Sequence, residues 1–135
     1  MNFKSILSWA LRIVAAIILL QTLYFKFTGQ PESVELFSKL GVEPWGRIGT
    51  GVMELIASVL LLIPTTIVIG AALGVGLMLG AISSHLLVIG IVSNADGGLL
   101  FVLAWVVLLC CAAVLILHKT QVEKIKNQLL KILAK

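Results

Sequence analysis

Charge is what this chain has least of. Asp, Glu, Lys and Arg together make up 12% of its 135 residues, roughly half the share of an average soluble domain. Hydrophobic residues fill 60%, and a soluble fold of one domain, which is all this length allows, has no interior large enough to hide them. Lipid can solvate such a chain if every backbone N–H and C=O is paired internally, which leaves helices or closed barrels as the spanning structures. The apolar stretches are continuous rather than alternating, so the chain is read as an all-α integral membrane protein.

Cysteine is scarce as well. Only Cys110 and Cys111 are present, adjacent within an apolar run, which excludes a disulfide framework, a Cys-x-x-Cys redox motif and zinc-ligand spacing. Neighbouring helical side chains diverge by roughly 100°, so the two are packing residues rather than a redox pair. No phosphate-cradling loop exists: Gly97 and Gly98 follow Asp96 without a strand before them or a lysine after them, and they suit a turn with an acidic residue at a helix start. The net charge of +4 does not indicate nucleic acid, because five of the ten basic residues fall in the last seventeen positions; a basic tail of this kind points to anionic lipid.

What remains organises into four spans: Ile6–Phe25, Gly46–Ile63, Ile67–Val92 and Leu99–Leu117. The first is too long for a signal peptide, is interrupted by Arg12 and is followed by no cleavage site, so it is read as a retained helix. The polar connection Lys26–Trp45 contains a stretch with Pro31 near its start and Gly41 past its end, the signature of a short helix. Val34, Phe37 and Leu40 share one face of it, which suits a helix in the membrane interface between the anchors Tyr24 and Trp45. Residues 119–135 form a basic amphipathic tail with Val122, Ile125, Leu129, Ile132 and Leu133 on one side, expected on an anionic membrane surface.

Four polar side chains inside the spans need a reason to be there, since a charge at a helix centre costs roughly 2.5–3.5 kcal/mol on insertion scales. Glu54 falls about 12–15 Å from either end of its span, near the midplane. It shares a stripe about 60° wide with Arg47, Thr50, Gly51, Ala57, Ser58 and Leu61, so this face meets protein. It is either a carboxylate that binds a proton or ligand or one that fixes helix packing. Arg12 can snorkel to the interface or, as the preferred reading, pair with Glu54 across a height difference of about 5–8 Å. His85 lies on the side of its helix that carries Gly70, Gly74 and Ala81, roughly 10 Å above Glu54. It has no second ligand at helical spacing, so no metal site is expected. Gln21, opposite Arg12, is expected to bond to a neighbouring helix. Gly70-x-x-x-Gly74 and Gly76-x-x-x-Gly80 lie on nearly opposite faces, one for the bundle and one for a neighbour or a homodimer mate.

With these residues in place, the chain resembles the DoxX and DoxX-like family of small four-helix bacterial membrane proteins. The resemblance rests on Arg12, Tyr24-Phe-Lys-Phe-Thr-Gly29, Phe37-Ser-Lys-Leu-Gly-Val-Glu-Pro44, Gly51-x-x-Glu54 and Gly80-Ala-Ile-Ser-Ser-His-Leu86, and it covers about Leu11 to His118. It implies a bacterial inner-membrane protein that is a subunit or partner of an oxidoreductase system connected to quinones or thiol stress, with Arg12, Lys26, Glu54 and His85 as the polar positions carried over. The chain has no haem-binding His pair at facing heights, no Cys-x-x-Cys and no nucleotide motif, so it is expected to be non-catalytic on its own, with a quinone or lipid-like molecule held against Glu54 and His85. Two other readings stay open: a proton-coupled transporter of small molecules using Glu54, and a membrane scaffold or chaperone.

Lys4 and the tail lysines flank the two termini, whereas Lys26, Lys39 and Arg47 share the first connection with Glu32, Glu35 and Glu43 and the other loops hold no basic residue. The excess of Lys and Arg places both termini in the cytoplasm. Reporter fusions after His118 are therefore expected to report a cytoplasmic C-terminus; a periplasmic signal would reverse the orientation.

Overall fold

The computed structural model describes residues 1–135 as six α-helices and one π-helical turn, without strands. Helix α1 (Phe3–Phe27) starts at Asn2, whose side chain accepts from Ser5 N–H at 2.9 Å, a standard way to satisfy one of the donors a helix start leaves over. Helix α2 (Pro31–Lys39) has proline in its first turn and ends before Gly41, whose φ of +73° glycine adopts without strain. Helices α3 (Trp45–Leu62) and α4 (Ile67–Ser84) form a tight hairpin; α4 continues as a π-helical turn, His85–Ile89; α5 (Leu99–Leu117) and α6 (Lys119–Leu133) complete the chain. Four helices are long and apolar enough to cross a membrane: α1, α3, α4 with its π turn, and α5.

Helix ends differ from the sequence expectation by one to three residues, and two of these differences have structural consequences. The first span runs on to Phe27, so Lys26 belongs to the last turn of α1 rather than to the connection. The third stops at Ile89 instead of Val92, because Gly90 takes φ +90° and leaves the helical path. Helix α2 forms where expected and buries Phe37.

The spanning helices make a ring in which α1 packs on α3 and α5, and α4 packs on the same two, so α1 and α4 face each other across the diagonal. Polarity is distributed as lipid demands. Ile17, Leu109 and Ile116 point outward at 60%, 63% and 72% exposure, while Arg12, Glu54 and His85 are buried. The core is narrow, built of Ala15, Ala57, Leu61, Ala71, Val107, Cys111 and Val114. Cys111 is fully buried and Cys110 nearly so, in keeping with a packing role.

Close approach of helices replaces hydrophobic drive in this setting, and Gly70 shows it. A methyl group there would stand 2.6 Å from the backbone nitrogen of Leu61, and one at Gly74 would stand 2.7 Å from Cys111 Sγ. Gly76 and Gly80, expected to be the face for a neighbour or a homodimer mate, are exposed and meet nothing within 4 Å of such a methyl in the single chain. Ser8 Oγ lies 2.8 Å from His118 Nε2, so the start of α1 and the end of α5 are at one end, and the four crossings put both termini on one side. We call this the terminal half and the opposite one the distal half. Helix α6 buries no residue, although Val122, Ile125 and Leu129 run beside Val68.

The glycines should separate by function when replaced. Gly70→Ala is expected to destabilise the bundle by about 1–3 kcal/mol, the usual cost of overpacking, whereas Gly76→Ala should leave stability unchanged or slightly raised. Thermal unfolding in detergent followed by circular dichroism reads both; equal losses would show that Gly76 also packs.

Candidate functional site

The distal half is hollow. A cavity of about 760 Å³ lies between α1 and α4, roofed by α2 and by the loop after the π turn. Its size falls in the ~300–1,000 Å³ range of small-molecule sites. Its walls are mostly apolar, with Ile18 and Leu19 on α1, Leu73 and Leu77 on α4, and Leu103 and Val107 on α5. Gly76, Gly80 and Ala81 of α4 border it without side chains large enough to fill it.

Into this chamber α1 presents Ile18, Thr22 and Lys26 at helical spacing, and α3 presents Thr50 and Glu54 in the same way. Glu54 Oε2 lies 3.0 Å from Lys26 Nζ, and the two side chains are 7% and 13% exposed. Thr22 Oγ1 donates to the same oxygen at 2.9 Å. A carboxylate in an apolar surrounding is costly without a cation and a hydrogen bond, and here it has one of each. Arg47, also buried, donates through Nε to both Glu43 oxygens at 2.8 and 3.0 Å, and through Nη1 to the carbonyl of Lys26. It thereby ties the end of α1 that carries Lys26 to the start of α3.

The expected pairing of Arg12 with Glu54 is not made. Arg12 Nε donates instead to the carbonyl of Leu61, and its guanidinium lies over the Trp9 ring at 4.0 Å from the centroid. The reason is register. Thr22 faces Glu54 and Arg12 faces Leu61, which puts the arginine seven residues, or roughly 10 Å, from the carboxylate along α3. Arg12 does not snorkel to water either, being 2% exposed. It caps the carbonyl end of α3, where the helix dipole is negative.

His85 opens the π turn. Its backbone carbonyl accepts from Gly90 N–H at 2.8 Å, and its Nδ1 lies 2.8 Å from the Gly90 carbonyl. A carbonyl only accepts, so Nδ1 carries the proton and Nε2 is left without a protein partner. The ring meets Phe101 edge-on at 5.8 Å. It therefore lines the same chamber as Glu54, but from the roof: Gly70 sits against Leu60 and Leu61, so Gly76 is level with Glu54 and His85 lies nine residues, about 13 Å, higher. Two further roof residues matter. Asp96 accepts from the N–H groups of Ser93, Gly98 and Leu100 at 3.0, 2.8 and 3.1 Å. Burial works against its charge, but those hydrogen bonds more than offset it and hold the carboxyl below its ordinary value. Ser93 is 2% exposed and its hydroxyl has no partner.

Of the four positions singled out by sequence, the structure brings Lys26, Glu54 and His85 to one chamber and leaves Arg12 in the other half. Gln21 is exposed on the bundle's outer face, without the expected bond to a neighbouring helix. Thr22, Arg47 and Ser93 were not identified as part of a site. Thr22 stands four residues before Lys26 on the same face, a signal that was readable; Ser93 sits in an irregular loop and carries none.

The profile of the DoxX-like family matches residues 10–114, a stretch that contains every chamber residue, and the chain belongs to that family. None of the curated proteins and none of the solved structures matches it.

The ion pair predicts a coupled response. Lys26→Met alone should destabilise the bundle by about 3–5 kcal/mol, since it strands a buried carboxylate, while Lys26→Met combined with Glu54→Gln should be milder. Arg12→Gln should add to Glu54→Gln without coupling. Unfolding in detergent of the single and double variants tests this; additive losses for Lys26 and Glu54 would show the pair contributes nothing.

Proposed function

We propose that this DoxX-like protein holds an amphiphilic, quinone-like molecule in the distal chamber and serves as a non-catalytic membrane subunit or partner of a quinone-linked oxidoreductase. The observation that carries the reading is the chamber's division of labour: a long apolar wall, with donors at the level of Glu54 and again at the roof. The Lys26 ammonium and the partnerless Ser93 hydroxyl are donors suited to ring carbonyls, and His85 Nε2 offers a further polar contact. Leu73, Leu77, Leu103 and Val107 suit an isoprenoid chain. The chain's own contribution is to bind and orient; the bound quinone would supply the electron-carrying chemistry.

Proton-coupled transport draws on the same carboxylate, placed midway along α3. Lys26 already occupies the position that a cationic cargo or a proton would need, so each cycle would first have to break a buried ion pair. A static holding role asks for no such step.

A short-chain quinone should bind the purified protein saturably. Gly76→Leu, which adds a side chain at a chamber-lining position where a Cβ meets nothing within 4 Å, should weaken binding at least about tenfold, a change of roughly 1.4 kcal/mol. Equal binding by wild type and Gly76→Leu would remove the chamber as the site. Gentle extraction from native membranes should bring down an oxidoreductase; recovery of an isolated homodimer would instead favour transport.

A further inference from the structure

Three buried polar side chains line the chamber: Glu54, His85 and Ser93. Two of them hold an acceptor with nothing bonded to it. Both partners of Glu54, Lys26 Nζ and Thr22 Oγ1, stand on Oε2 at 3.0 and 2.9 Å, so Oε1 has none. His85 spends its Nδ1 proton on the Gly90 carbonyl at 2.8 Å and forms no salt bridge; in the neutral ring Nε2 then only accepts. Neither Glu54 Oε1 nor His85 Nε2 is sealed from the cavity. The hydroxyls at the half-buried positions of the wall have no proton to spare for them. Thr22 donates to Glu54 and the Leu19 carbonyl, Thr50 to the Gly46 carbonyl and Ser84 to the Gly80 carbonyl. Access is open as well: Gly76 and Gly80 border the chamber and are exposed, so the space is reached past two residues that carry no side chain.

We infer that the chamber selects its occupant by hydrogen-bond donation and takes the hydroxyl-bearing form of the amphiphile, the quinol, in preference to the quinone. The inference rests on the reading of the chamber as the site of a quinone-like molecule, and it names which of the two redox forms is held. The two forms share a ring and a tail, so the apolar wall does not tell them apart. Oxygen lone pairs are present in both, so the donors Lys26 and Ser93 do not discriminate either. The free acceptors do. A quinone carbonyl brings no proton to Glu54 Oε1 or His85 Nε2 and leaves each unpaired, whereas a quinol hydroxyl donates to them and still accepts from Lys26. Glu54 is the stronger discriminator, because a hydrogen bond to a carboxylate is worth about twice one between neutral groups. His85 lies about 13 Å higher along the bundle, and selection at either level does not require the other.

The test uses the full chain in detergent under argon, with three probes that carry the same decyl tail: a benzoquinone, its quinol and the dimethyl ether of that quinol. Calorimetric titration should find the quinol at least about tenfold tighter than the quinone, the discrimination that one hydrogen bond to a charged group supports. The dimethyl ether, whose oxygens only accept, should bind no tighter than the quinone. A tenfold preference for the reduced form also raises the two-electron midpoint potential of the bound couple by about 30 mV over the same couple in detergent alone. Saturable binding in which the quinone matches or exceeds the quinol overturns the selection and leaves the chamber as a holding site. A dimethyl ether as tight as the quinol overturns it too, since the preference would then follow shape and not donation. A preference that persists at full affinity in Gly76→Leu lies outside the chamber and has the same consequence. Absence of saturable binding by all three probes overturns the holding role itself, and the selection with it.

Discussion

Between helices in lipid there is no hydrophobic force to align one against the next, so alignment rests on close packing and on polar groups that must find each other. Here that constraint is met first by α1 and α3. They are joined at three heights: Arg47 holds the carbonyl of Lys26 at the distal end, Lys26 and Thr22 hold Glu54 below it, and Arg12 holds the carbonyl of Leu61 near the other end. Sliding one helix by a turn would strand two arginines, a lysine and a glutamate together. Each unpaired charge in such a place costs several kcal/mol, and the register is correspondingly narrow.

With α1 and α3 locked, the rest of the bundle divides at mid-membrane. Below it, Gly70 and Gly74 let α4 press against α3 and α5, and the core residues fill what is left. Above it, Gly76, Gly80 and Ala81 of α4 border the cavity without filling it. The same residue type closes one half and opens the other. What differs is the face: backbone and Cys111 stand opposite Gly70 and Gly74, while nothing in the chain stands opposite Gly76 and Gly80, which are exposed.

Much of this was legible without coordinates. Composition and unbroken apolar runs give four spanning helices, Pro31 and Gly41 bracket α2, and the protein-facing stripe of α3 is the one that is buried. Register was not legible, because it depends on where each helix begins in the membrane and on the shape of the turns. Taking α1 to end at Phe25 placed Lys26 in a loop and left Arg12 as the apparent partner of Glu54. Two more residues of helix put Lys26 on the same face as Thr22 and within reach of the carboxylate. Of the two glycine pairs, spacing gave Gly70 and Gly74 to the bundle and Gly76 and Gly80 to a neighbour or a homodimer mate; in the single chain the first pair is packed and the second is open. The π turn was hidden for a similar reason: the apolar run continues through Leu86 to Val92, and nothing in its pattern marks the extra residue that Gly90 and His85 accommodate.

The departures from plain helix packing are not scattered. A π turn, uncommon and often found where a helix serves a site, sits at His85; a buried serine hydroxyl without a partner sits at Ser93; a buried ion pair sits at Lys26 and Glu54; and two glycines with nothing to pack against sit at Gly76 and Gly80. Each is unfavourable for a helix whose only task is to hold a bundle together, since alanine or leucine would serve stability better. All of them border one cavity, whereas the terminal half departs from the pattern at Arg12 and at Gln121, whose side-chain oxygen is buried without a partner. The costs of the fold are thus concentrated on the wall of a single space, mostly apolar with polar groups at two levels, and it is this concentration that the proposed holding of an amphiphilic molecule would explain.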